Sequence, residues 1–228
     1  MRRKFDDQLE RLHTALVEMG EQVKLVIGNA VQALINQDVP LAQETLLYDT
    51  EINAKEKEIE ALCIEIILQQ QPVAKDLRLV SSVLKMITDL ERIGDHASDI
   101  SEITIYMAGK PYIKKLEHIP LMAAATIKMV TDSIESFVQG DMELARAVID
   151  ADDVVDKLFT VIKEELVELI HLNPANGDQA MDLLMIAKYF ERIGDHATNV
   201  AEWVLFSLTG SHDAYPPETI PQITIVSK

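Results

Sequence analysis

Glycine and proline are scarce, with 8 of each in 228 residues, and aromatic residues make up only 5%. Turn-rich all-β folds need more punctuation than that, so the expectation moves to long helices. The single cysteine, Cys63, permits no intrachain disulfide and no cysteine metal cluster, which excludes a secreted disulfide scaffold. Basic residues are also in deficit: 21 Lys and Arg stand against 38 Asp and Glu, for a formal charge of −17. A chain this acidic is a poor candidate for binding nucleic acid or an anionic membrane. No stretch approaches the run of uncharged apolar residues that a membrane span needs, so no direct membrane insertion is expected. The first residues, M-R-R-K-F-D-D-Q-L-E-R-L, put charges where a signal peptide needs an apolar run, and a cytoplasmic location is expected. Apolar side chains, by contrast, are plentiful. At 48% of the chain they are too many for a disordered polymer of high charge.

The heptapeptide E-R-I-G-D-H-A occurs twice, at residues 91–97 and 191–197, offset by 100. Seven identical residues are a repeat, and a repeat governs the fold reading. Asp99 then matches Asn199, and Glu102 matches Glu202. Upstream the offset becomes 103, aligning Met19 with Met122, Asp38 with Asp141, Asp49 with Asp152 and Asn53 with Asp156. The second copy therefore lacks three residues, and the turn before its last helix is the expected place for the loss. One module of about 100 residues is used twice: residues 1–110, then 111–210, followed by a tail at 211–228. The tail has three prolines and no helical periodicity, and is expected to be irregular or strand-like.

Each module divides into three amphipathic segments with apolar residues at spacings of three and four. In the first module the breaks fall at residues 36–40 and 70–72, and the third segment runs from Pro72 to Met107. The second module reads as helices over 116–139, 142–172 and 178–208. Long amphipathic helices joined by short loops pack antiparallel. The expected fold is all-α: six long helices in two pseudo-symmetric three-helix bundles.

Glu91, Asp95, Asp99 and Glu102 fall at spacings of 4, 4 and 3, which puts them on one helix face. Arg92 lies one residue round the helix and is expected to point elsewhere. The sixth helix repeats the stripe with Glu191, Asp195, Asn199 and Glu202, where Lys188 is placed to pair with Glu191. Asp49 with Asn53, and Asp152 with Asp156, sit one turn apart on the preceding helices. If neighbouring helices are antiparallel, these pairs meet the stripes, giving candidate metal ligands Glu91, Asp95, Asp99, Asp49 and Asn53 in one module. The other module offers Glu191, Asp195, Asn199, Asp152 and Asp156. An oxygen-rich donor set suits hard cations such as Mg²⁺, Mn²⁺ or iron and suits structural Zn²⁺ poorly. Among Fe, Mn, Mg and Zn the identity stays open. The alternative is a solvated acidic face with Arg92 and Arg192 as partners. His96 and His196 are expected to neighbour the stripes or lie on the surface, without ligating.

Two three-helix modules whose last helix carries E-R-I-G-D resemble the PhoU family of phosphate-signalling proteins. The likeness includes Q-P-V-A-K-D-L-R at residues 71–78 and A-x-N-V-A-E at 197–202, and it spans about residues 5–210. It implies a regulator without catalytic activity, binding metal through acidic E-x-x-x-D motifs at Glu91 and Asp95 and at Glu191 and Asp195. Asn53 and Asn199 depart from the family's carboxylates, which would lower the charge of each site. The implied partners are the ATPase subunit of the high-affinity phosphate ABC transporter and the sensor histidine kinase of the phosphate-response system. The implied role is to restrain uptake and the phosphate-starvation response when phosphate is plentiful. A homodimer is the expected assembly.

Two other readings compete. A ferritin-like di-iron protein uses paired E-x-x-H motifs, and Glu10 with His13 and Glu168 with His171 supply that spacing. They do not correspond under the repeat. A helical adaptor whose acidic stripes meet a basic partner, without metal, is the other. No phosphate-binding glycine loop and no nucleophile–base pair is visible, so nucleotide binding is not expected.

Overall fold

The computed structural model describes residues 2–211. The expectation for the tail falls outside the described residues, apart from Ser211. The described residues form six helices and one 3₁₀ turn: α1 (Arg2–Asn36), α2 (Val39–Gln70), α3 (Lys75–Met107), α4 (His118–Gln139), α5 (Met142–Leu172) and α6 (Gly177–Thr209), with the 3₁₀ turn at Pro174–Asn176 before α6. Among the described residues there is no strand.

The helix starts show why the two modules align. Asp38 caps α2, its carboxylate accepting from the Leu41 amide at 3.1 Å. Its equivalent Asp141 caps α5, accepting from the amides of Glu143 and Leu144 at 2.9 and 3.1 Å. Each side chain satisfies donors that the helix cannot satisfy itself. Pro40 sits in the first turn of α2, where its missing N–H costs nothing.

Two expectations are corrected here. The third helix begins at Lys75, not Pro72, because Gln71 takes the left-handed helical conformation and Ala74 also has φ of 48°, with ψ −111°, and neither continues a right-handed helix. The three residues missing from the second module are also not lost from the turn. Gln70 and Lys75 are separated by four residues, as are Leu172 and Gly177. In the register of the repeat, α5 instead ends one residue earlier than α2, and α6 starts two residues later than α3.

Within each module neighbouring helices run antiparallel. Lys55 on α2 reaches Glu18 on α1, while Gln8 reaches Glu65. α2 packs on α1 and α3, and α5 packs on α4 and α6. The modules meet along α3 with α6 and α1 with α4, so those four helices form the centre and α2 and α5 flank it. One continuous apolar core results, with Phe190, Leu12, Leu16, Met19, Ile27 and Ile52 among its fully enclosed side chains.

Candidate functional site

The acidic residues lie along two equivalent seams, α2 against α3 and α5 against α6. The glycine of each E-R-I-G-D motif brings those helices together. A Cβ at Gly94 would stand 2.9 Å from Cδ1 of Ile52, and one at Gly194 would stand 3.0 Å from Oδ1 of Asp152. Any larger residue would push the flanking helix outward, so glycine sets the approach of the acids on one helix to those on the next.

In the first seam Asp49, Glu91, Asp95 and Asp99 influence one another. Burial and the neighbouring Asp95 raise the Asp49 carboxyl above its ordinary range, with a further contribution from Asp99. Burial and Asp95 likewise raise Glu91, against the pull of Arg92. Asn53 donates its amide to the Asp49 carboxylate at 3.2 Å, which relieves part of the crowding. Arg92 does not point away as its position on the helix implied. Its long side chain turns back to Asp95 at 2.9 Å and to Glu91 at 3.6 Å.

The second seam holds Asp152, Asp156, Glu191 and Asp195. Burial, followed by the charges of Asp156, Asp195 and Glu191, pushes Asp152 up to about 6. Its Oδ1 is buried and has no hydrogen-bond partner. Burial and Glu191 also raise Asp195, against the opposing pull of Lys188. Lys188 forms the expected pair with Glu191 and also lies 5.5 Å over the ring of Phe159.

The histidines belong to the joint between modules. His96 is buried, with Nδ1 at 3.3 Å from Asp99, and its ring lies 5.4 Å from Tyr189 and 5.6 Å from His196. His196 Nδ1 stands 2.8 Å from Asp89, and Asn199 donates to the same carboxylate oxygen at 3.0 Å. Residue 89 thus meets 196 while 96 meets 189, so α3 and α6 cross antiparallel with the histidines near the pseudo-twofold. Asn199 is turned to this joint, away from the other acids of its seam. Sequence reasoning missed Asp89. Its signal was that it lies two turns from His96, where the repeat places Tyr189.

Among the described residues, no group of three His, Cys, Asp or Glu side chains stands arranged to hold a metal ion. The acids converge as mutually repelling neighbours, partly satisfied by Arg92, Lys188 and Asn53.

Residues 16–104 and 119–204 each match the PhoU domain family. The chain belongs to the PhoU family. It is 36% identical over 210 residues to the phosphate-specific transport system accessory protein PhoU homolog of Clostridium acetobutylicum, covering 92% of this chain and 96% of that one. To the homolog of the same name in Aquifex aeolicus it is 39% identical over 189 residues, covering 83% and 86%. The crystal structure of PhoU from Pseudomonas aeruginosa superposes with a TM-score of 0.87 at 33% identity, covering 91% of this chain and all of that one. Both copies of the repeated motif fall within the matched PhoU domains, and these relatives are accessory proteins of phosphate-specific transport systems.

Proposed function

We propose that this chain is a cytoplasmic regulator of phosphate uptake and of the phosphate-starvation response, restraining both when phosphate is plentiful. It does so as a docking protein between the ATPase subunit of a phosphate ABC transporter and the sensor histidine kinase of the response system, and it works as a homodimer. The observation that carries this reading is the double PhoU match over most of the chain, with relatives named for the phosphate-specific transport system. Among the described residues no helix is long and apolar enough to cross a membrane. A net charge of −17 supports salt-dependent association with basic patches on partners.

Cation binding at the seams is part of the proposal. The second seam fits a cation best: its buried Asp152 oxygen has no hydrogen-bond partner and its carboxylates raise one another. Asp152, Asp156, Glu191 and Asp195 would hold the ion there, and Asp49, Asn53, Glu91, Asp95 and Asp99 in the first seam. The ion would supply neutralising charge and hold the two helices of a seam together. A metal-free adaptor is the second reading, favoured by the Arg92 pairs with Glu91 and Asp95.

The test is a deletion strain grown in phosphate-rich medium. Phosphate-starvation genes left on without the protein, and silenced when it is restored, are expected. Normal repression in the deletion strain would overturn the regulatory reading. Elemental analysis of protein purified without chelator separates the cation reading from the adaptor.

A further inference from the structure

The face formed by α1 and α4 is built differently from the rest of this acidic chain. Residues 22–37 and 118–131 hold none of its 38 Asp and Glu residues, and each stretch has a single lysine, Lys24 and Lys128. The two helices run antiparallel, so these stretches lie side by side. A Cβ at Gly20 would collide with Ile134, and the depression at Gly28 is walled across the groove by Ile127. Leu25 and Ile35 are 47% and 40% exposed along α1, and Ala124 is exposed on α4. Both lysines are neutralised on their own helices, Lys24 by Glu21 at 2.6 Å and Lys128 by Asp132. On a chain of charge −17, a neutral and partly apolar face is where another polyanion meets least repulsion.

The ends of this face carry opposite charges. Toward one end stands Glu135, exposed on α4 and accepting a hydrogen bond from Gln139 at 2.6 Å. At the other, the segment entering α4 lays Lys114 and Lys115 beside Ile35. Lys114 is taken by Glu165. Lys115 is exposed, and neither it nor Glu135 has an ion-pair partner among the described residues.

Between the two ends lies a depression of about 610 Å³ at Gly28, where an added Cβ would meet no neighbouring atom of the described residues within 4 Å. In sequence number Ile35 is seven residues from Gly28, and Glu135 is eight from Ile127. The basic and acidic ends therefore stand about 11 and 12 Å from the depression, on opposite sides, at 1.5 Å per residue. Half a turn about an axis through the depression brings the acidic end of one copy onto the basic end of another, twice. It also lays each α1 over the other copy's α4, as a self-complementary contact requires.

We propose that two copies of this chain meet through the α1–α4 face, about a twofold axis at the Gly28 depression, with Glu135 of each copy paired to Lys115 of the other. This rests on the homodimer of the proposed function and gives that dimer its interface. The missing side chain at Gly28 lets the two layers approach at the axis, while Leu25 and Ile35 leave water on either side of it. The acidic seams lie on other helix pairs, α2 with α3 and α5 with α6, and stay free for cations or other proteins.

The test is sedimentation equilibrium of the full chain, whose monomer mass is 25.6 kDa. The native chain is expected at twice that mass. Gly28→Glu puts its side chain into open space within one copy but brings two carboxylates together at the axis, and should weaken the dimer on the order of 100-fold. Glu135→Lys and Lys115→Glu should each weaken it about tenfold, and the two exchanged together should restore it. Helical circular dichroism equal to the native chain's separates loss of the dimer from loss of the fold. A native chain that stays monomeric at every concentration would overturn this interface and the homodimer together. A dimer untouched by Gly28→Glu, or a double exchange that restores nothing, would overturn the interface alone and leave the face to a different partner.

Discussion

The two seams start from one repeated pattern, and the most informative difference lies one turn after Asp49 and Asp152. In the first, Asn53 stands one turn after Asp49 and donates a hydrogen bond to it. In the second, the equivalent residue is Asp156, an acid where the first seam has an amide donor. Asp152 is therefore left with a buried, unpartnered oxygen and a carboxyl pushed up to about 6, while Asp49 is raised but satisfied. The cations near the two seams differ as well: Arg92 divides itself between Glu91 and Asp95, whereas Lys188 takes Glu191 alone. Changing one amide to a carboxylate turns a locally balanced seam into one that needs a proton or a cation from outside.

The largest effect that sharpens this comparison comes from loading the second seam. If Mn²⁺ binds there, a concentration of 100 times its dissociation constant stabilises the fold by about 2.7 kcal/mol. Asp152→Ala with Asp156→Ala should abolish more of that gain than Asp49→Ala with Asn53→Ala, read as the shift in melting temperature with and without Mn²⁺. Equal losses from both pairs would break the asymmetry.

Next in size is the effect of the motif glycines. Leucine at position 94 or 194 would drive a branched side chain into Ile52 or into Asp152 and Val155. Overpacking of this kind costs about 1–3 kcal/mol, measurable by urea unfolding. At position 194 the displaced group is a carboxylate already short of partners, so the second substitution should also lower Mn²⁺ affinity.

Smaller again is the effect of relieving the second seam directly. Asp152→Asn in metal-free protein removes one charge from a repelling group and supplies a donor toward Asp156. A gain of about 1 kcal/mol at pH 8 is expected, or about 2–4 °C for a chain of this size. Asp49→Asn should give no such gain, because it discards the charged acceptor that Asn53 already serves.

The helices were legible in the sequence because apolar spacing of three and four is a local signal, whereas the capping roles of Asp38 and Asp141 emerged only from the structure. The start of α3 was not, since the left-handed turn at Gln71 and Ala74 has no glycine to mark it. The approach of α2 to α3 and of α5 to α6 brought Asp49 and Asp152 to the stripes as antiparallel packing requires. What stayed hidden depends on tertiary register or on side-chain reach. Asp89 finds His196 and Asn199 only once α3 and α6 cross, and Arg92 folds back along its own helix. The repeat also concealed where its three residues were lost, because α5 ends early and α6 starts late in the repeat register while the connecting turn kept its length.

The unmet state of Asp152 sets the two seams apart, and it can be read one carboxyl at a time. Its folded pKa lies above the ordinary aspartate value of 3.8, so its protonated form is favoured by the fold. The stability it contributes is complete below about pH 4 and is lost as pH rises through about 6. Carbon-detected NMR of the side-chain carboxyls in chelated protein, titrated from pH 3 to 8, follows that proton directly. Asp152 is predicted to titrate near 6 in the native chain and to fall toward the ordinary range in Asp156→Asn. An Asp152 that titrates near 4 in the native chain, unmoved by that substitution, would contradict the account.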